Sequence, residues 1–227
     1  MRDAGESKPV PIAVANDDWM ARDGLRQELE REGAYRVIIQ AANGRELTDA
    51  IAGGAVPALA IVHLCMPVMD GYAVLDWMRA HRPQVRVLAY GEAMDATTVV
   101  RCYRSHAHGL LVRGGPAAEW RTALSTALGG GIYHTALSQQ LLLENADGLT
   151  PDERRCERMR AQLTTMQKKV LAQICQADDP TYARIGRDMN ISPRTVERHV
   201  ADLREAFGVP SKTALVMAAT RLGIAKL

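Results

Sequence analysis

Five short apolar runs, at residues 11–15, 35–39, 59–64, 85–90 and 109–113, are separated by stretches of helical spacing. That alternation constrains the front half of the chain more than any other feature. Runs this short and this continuously apolar read as strands buried on both faces, and the intervening stretches as helices over 19–32, 46–52, 72–80 and 96–105. A fifth helix opens with Pro116 in its first turn and ends at Gly129-Gly130-Gly131. Strands and helices in strict alternation predict an α/β unit in which a five-stranded parallel sheet is doubly wound, covered on both faces. Right-handed crossovers leave few topologies, the flavodoxin-like strand order among them. Chemistry in such sheets collects at the carboxyl ends of the strands, here Asn16, Asp17, His63, Gly91 and Arg113.

The remainder reads differently. Leu137 to Leu143 suggests a short helix, Asn145-Ala146-Asp147-Gly148 a break, and Thr150-Pro151-Asp152-Glu153 a capped helix start. From Leu163 on the pattern is all helical. One helix covers 165–176, and a second starts at Asp179-Pro180-Thr181. After the tight break Asn190-Ile191-Ser192 a third covers 193–207, and a fourth runs through Arg221 to Gly223. Two short helices joined by a three-residue turn form a helix-turn-helix. With Val196, Val200, Leu203 and Phe207 turned inward, Arg194, Glu197, Arg198 and Ala201 are free to enter a major groove.

Charge follows the same division. Residues 1–150 hold 14 Lys/Arg against 17 Asp/Glu, and residues 151–227 hold 14 against 9. The basic half is therefore the expected nucleic-acid partner. The four cysteines are scattered with no Cys-x-x-Cys pair, which suggests neither zinc site nor disulfide framework. No apolar run approaches a membrane span. Residues 1–8 are polar, read as a flexible N-terminus, and lack the apolar stretch of a signal peptide, so a cytoplasmic protein with no membrane partner is expected.

Ala15-Asn16-Asp17, Arg22-Asp23-Gly24-Leu25, Ala41-Ala42-Asn43-Gly44, Met66-Pro67-Val68-Met69-Asp70-Gly71 and Gly109-Leu110-Leu111-Val112-Arg113 resemble the motifs of bacterial response-regulator receiver domains. In that family two acids after the first strand hold Mg²⁺ and an aspartate after the third accepts phosphate. A Thr or Ser after the fourth strand and a Lys after the fifth bind that phosphate. The resemblance places Asn16 and Asp17 at the acidic pair, His63 at the phosphoacceptor, Gly91 at the hydroxyl and Arg113 at the lysine. Leu110 stands at the switching aromatic. One carboxylate, a neutral amide and an imidazole make a poor set for Mg²⁺, so neither aspartyl phosphorylation nor tight Mg²⁺ binding is expected. His63 is instead expected to plug the pocket as a hydrogen-bonded side chain paired with Asp17.

The run from Ile185-Gly186 through Ile191-Ser192-Pro193-Arg194-Thr195-Val196-Glu197-Arg198-His199-Val200 to Lys212-Thr213-Ala214 resembles the LuxR-type four-helix DNA-binding domain. That domain is the usual output module of NarL/FixJ-class response regulators. The implied organisation is a flexible N-terminus over 1–8, a receiver-like domain over 9–130, a linker with helical segments over 131–162, and the helix-turn-helix domain over 163–227. Arg194, Arg198 and Lys212 are assigned to phosphate or base contacts, Thr195 to phosphate, and Glu197 to a position where the family often has Lys. The whole reads as a regulator that needs no cofactor, is not an enzyme, binds double-stranded DNA as a homodimer and uses its altered receiver for dimerisation. Two other readings stay open: an adaptor that forms a heterodimer with an intact response regulator, and a ligand- or redox-gated switch using the pocket around His63 and Cys65.

Overall fold

The computed structural model describes residues 8–176 and 178–224. It forms two compact units, one ending at Gly148 and the other starting at Leu149. The flexible start expected over 1–8 lies, apart from Lys8, outside the described residues.

In the first unit, β1 (Val10–Ala15), β2 (Tyr35–Ala41), β3 (Leu59–His63), β4 (Arg86–Gly91) and β5 (Gly109–Val112) form one sheet. The order is β2-β1-β3-β4-β5 and every pairing is parallel, which is the flavodoxin-like arrangement. Between the strands lie α1 (Trp19–Glu30), α2 (Gly44–Ala52), α3 (Gly71–His81) and α4 (Ala96–Arg104), followed by α5 (Ala117–Leu128) and α6 (Ala136–Glu144). Strand side chains alternate between faces. Ala60 and Val62 enter one core with Leu47, Val74 and Leu110, while Leu59 and Ile61 enter the other with Leu29, Tyr90 and Leu124.

The second unit holds α7 (Pro151–Gln162), α8 (Thr165–Ile174), α9 (Tyr182–Met189), α10 (Pro193–Phe207) and α11 (Lys212–Arg221). Their core is built on Leu171, Ile174, Ile185, Val196, Leu203 and Leu215. The stretch 131–162 that reads as a linker is built into the two units rather than standing apart from them. Leu141 and Leu142 of α6 pack against the sheet's first core, and the Cys156 thiol of α7 donates to the Leu222 carbonyl at 2.8 Å. No described helix is long and apolar enough to cross a membrane.

Every described helix except α5 starts on an Asp, Asn, Ser or Thr whose side chain accepts a backbone N–H of the first turn. Two boundaries depart from the sequence reading for this reason. Asn43-Gly44 reads as a turn but is a cap: Asn43 accepts from the Glu46 N–H at 3.0 Å while Glu46 accepts from the Ala42 N–H at 2.8 Å, so α2 starts at Gly44. Pro116 stands one residue before α5 rather than within its first turn, with an extended ψ of 137°.

Gly71 fixes the approach of α3 to β3. A Cβ there would lie 2.5 Å from the His63 carbonyl oxygen and 2.7 Å from Leu64 Cα, both backbone atoms that cannot swing aside. Gly71→Ala is expected to lower the stability of the first unit by about 1–3 kcal/mol. The urea midpoint followed by tryptophan fluorescence measures this selectively, because Trp19, Trp77 and Trp120 all lie in that unit.

Candidate functional site

The sheet brings the five strand-end residues to one edge. Asn16 follows β1 and is fully buried. Its amide donates to the Tyr90 hydroxyl, and its Oδ1 accepts from the Asp18 N–H at 2.7 Å. Both ends of the side chain are thus engaged inside the protein. His63 ends β3 and is 5% exposed. It stands directly beside Tyr90 in the β3–β4 register, the two rings tilted at 37° with centroids 5.1 Å apart. Tyr90 in turn makes a T-shaped contact with Trp120, the ring centroids 5.4 Å apart.

The pairing expected of His63 is only partly present. Its Nδ1 lies 3.4 Å from Asp17 Oδ1 and its Nε2 3.8 Å from Glu92 Oε1, within ion-pair reach. Neither nitrogen makes a hydrogen bond, however, so the histidine is not the hydrogen-bonded plug that the sequence suggests. The strand holds the ring against Tyr90, and from there both contacts are too long or too poorly aligned.

Arg113 follows β5 and bridges the edge. One guanidinium nitrogen is 3.1 Å from Asp18 and another 3.0 Å from Glu92. Asp18 also caps α1, and its carboxyl sits below the usual range because the Ala21 N–H, the Met20 N–H and Arg113 all favour the charged form. Gly91 is buried and offers no hydroxyl. The edge therefore carries three carboxylates, Asp17, Asp18 and Glu92, a histidine, and two guanidinium groups, Arg113 and Arg22, the latter donating to the Asn16 carbonyl.

Two of these residues escape a reading by motif. Tyr90 sits one residue before Gly91, and only strand register places it beside His63. Glu92 is the first residue beyond β4. Leu110 is fully buried in the aliphatic core. The donors do not fit Mg²⁺: Asn16 is committed to Tyr90 and Asp18, and Asp17 faces an imidazole where a hard cation needs oxygen.

In the second unit Asn190 takes a left-handed conformation, φ 53°, and ends α9. Ser192 caps α10 by accepting from the Thr195 N–H at 3.1 Å, and its hydroxyl lies 2.8 Å from that of Thr195. A Cβ on Gly186 would meet the Ile191 carbonyl at 2.7 Å, so glycine there lets the turn close against α9. Val196, Val200, Leu203 and Phe207 are buried, and Arg194, Thr195, Glu197 and Arg198 stand on the exposed face. Lys212, at the start of α11, is not open: its ammonium is 2.6 Å from Asp179 and 3.1 Å from the Pro180 carbonyl. The chemistry of Asp179 is not legible from its helix-start motif.

Residues 12–124 match the response regulator receiver domain family, and residues 161–219 match the bacterial regulatory proteins of the luxR family. The chain is 26% identical over 217 residues to a probable transcriptional regulatory protein NarL of Mycobacterium tuberculosis, covering 95% of this chain and 96% of that one. It is 26% identical over 205 residues to the nitrate/nitrite response regulator protein NarL of Escherichia coli, covering 90% and 92%. In fold it is similar to RcsB of Salmonella enterica serovar Typhimurium, solved bound to promoter rprA with a phosphomimetic. The TM-score is 0.53 at 17% identity, with 92% of this chain and 97% of that one covered.

Burial raises the Tyr90 phenol to about 12 from an ordinary 10.0. A raised pKa means that the fold favours the neutral form, so this contribution is full below about pH 10 and is lost as pH rises through about 12. Tyr90→Phe leaves the buried Asn16 amide without its acceptor and is expected to lower stability by about 1–3 kcal/mol at neutral pH. Urea melts at increasing pH should show the gap to the parent protein narrowing across the alkaline window.

Proposed function

The chain belongs to the NarL/FixJ class of response-regulator transcription factors, a receiver domain joined to a LuxR-type helix-turn-helix domain, and we propose that it regulates transcription without aspartyl phosphorylation. The observation that carries this reading is His63 at the acceptor position, buried, with both ring nitrogens unbonded and carboxylates on either side. An incoming phosphoryl group would find no carboxylate nucleophile on β3. It would face the negative charge of Asp17, Asp18 and Glu92, with Arg113 already held by two of them. Arg22 is held on the Asn16 carbonyl, and neither an ammonium nor a hydroxyl is placed to compensate the charge of a transferring phosphoryl group. Leu110, locked in the core, gives no aromatic ring to report such an event.

In this reading the protein works in the cytoplasm, is not an enzyme, and uses its receiver as a dimerisation element. A homodimer would set two α10 helices on half-sites about 34–36 Å apart. Arg194 and Arg198 then contact phosphate or base edges and Thr195 contacts phosphate. Lys212 joins them by exchanging Asp179 for a backbone phosphate. Glu197 repels phosphates but accepts from a cytosine amino group, which makes it a specificity residue.

Selection of DNA from a random pool by the unmodified protein, repeated with acetyl phosphate and Mg²⁺, tests the proposal. The same sequence and the same affinity are expected in both arms; binding only with the phosphodonor overturns phosphorylation independence. On the selected site, Arg198→Ala is expected to reduce the slope of log affinity against log salt by about 1. Glu197→Gln should strengthen binding to unrelated DNA and relax preference at one base pair, read by fluorescence anisotropy.

A further inference from the structure

Helices α1 and α5 leave a cleft of about 670 Å³ over the sheet, within the first unit. Its floor and walls are Leu25, Leu29, Ile61, Tyr90, Trp120 and Leu124. Nothing in the reading proposed above uses this cleft. Its size falls within the roughly 300–1,000 Å³ of small-molecule sites, which are mostly apolar with a few polar groups.

We propose that this cleft binds a neutral, planar, largely aromatic small molecule. Three observations select that chemistry. First, the chain is poor in aromatics, with three Trp, six Tyr and one Phe, yet Tyr35, Tyr90 and Trp120 all line this one cleft. Tyr90 and Trp120 meet in a T-shaped contact, and Trp120 is only half-buried, so part of its ring is open to the cleft. Second, the charged residues lining it are two acids and two bases, Glu28, Glu32, Arg113 and Arg121. Arg113 is held by Asp18 and Glu92, and Arg121 lies 4.0 Å from Glu28. The cleft has no net charge to attract an ion, and a charged ligand would have to break these pairs. Third, its apolar side chains are recessed: Leu29 and Leu124 are buried and Leu25, Tyr35 and Trp120 half-buried. Side chains set this deep are reached by a small inserted molecule more readily than by a flat protein surface.

The cleft shares Tyr90 and Arg113 with the strand-end cluster. An occupant stacked on Trp120 touches the ring that carries the hydroxyl bonded to Asn16. Binding there therefore bears on the same edge of the sheet that the receiver family uses for phosphate.

The test is a titration of the full chain with N-phenyl-1-naphthylamine, a neutral aromatic probe whose emission rises in apolar surroundings. In a Trp19→Phe, Trp77→Phe background only Trp120 remains to report. Saturable binding of one probe per chain is expected, with Trp120 quenched along the same curve. Ala21→Phe and Ala117→Phe narrow the cleft from opposite walls, and each should weaken binding at least tenfold with the thermal midpoint unchanged. Three results would overturn the proposal: non-saturable binding, a Trp120 signal that does not move, or affinity unchanged from the parent protein in both narrowed variants. Sedimentation showing a dimer that either variant converts to monomer without probe would also overturn it, by giving the cleft to a second copy. No arm involves DNA or a phosphodonor, so the outcome is independent of the function proposed above.

Discussion

Parallel strands cannot be joined by tight turns, so each must be followed by a crossover, and the crossovers must cover both faces of the sheet. That constraint organises the whole first unit. It buries β3 completely, sorts Leu59 and Ile61 from Ala60 and Val62 into two cores, and delivers every strand end to one edge. The edge is where Asn16, His63, Gly91 and Arg113 meet, although they lie far apart in the chain. Strict alternation also places His63 and Tyr90 on the same face, side by side. The tyrosine is thus a wall common to the strand-end cluster and to the cleft between α1 and α5.

The scaffold owes little of its stability to the ion pairs of the cluster. The ion pairs of Arg113 are largely exposed, and such pairs are worth about 0–1 kcal/mol. The two aliphatic cores, with Ile12, Leu47, Leu59, Ile61, Leu88 and Leu110 fully buried, supply the driving force. The sheet therefore keeps its shape with His63, Gly91 and Arg113 at its strand ends, where three carboxylates face the guanidinium groups of Arg113 and Arg22.

The second unit is organised by its caps and one close approach. Thr181, Ser192 and Ser211 start three helices in succession, Asn190 ends one in a left-handed turn, and Gly186 lets that turn pack. The result presents Arg194, Thr195, Glu197 and Arg198 on one face of α10 while four apolar side chains hold the helix to its neighbours. Lys212 shows how local pairing changes a residue's availability. Its ammonium is paired with Asp179 across the start of two helices.

Strand and helix order, the Thr150 cap and the amphipathic face of α10 are legible in the sequence because each follows from local spacing and side-chain chemistry. So is the histidine at position 63, which the sequence places at the end of the third strand. The Asn43 cap was misread as a turn because Asn-Gly fits both until the reciprocal bonds with Glu46 are seen. The contacts across the edge were not legible. Tyr90 beside His63, Arg113 between Asp18 and Glu92, Lys212 against Asp179, and the cleft walled by α1 and α5 all join residues distant in the chain. The sequence by itself determined which elements form and which residue types stand at the strand ends; only the tertiary structure decided which side chains meet. Local preferences act over a few residues, whereas strand register and helix packing set distances between residues many positions apart.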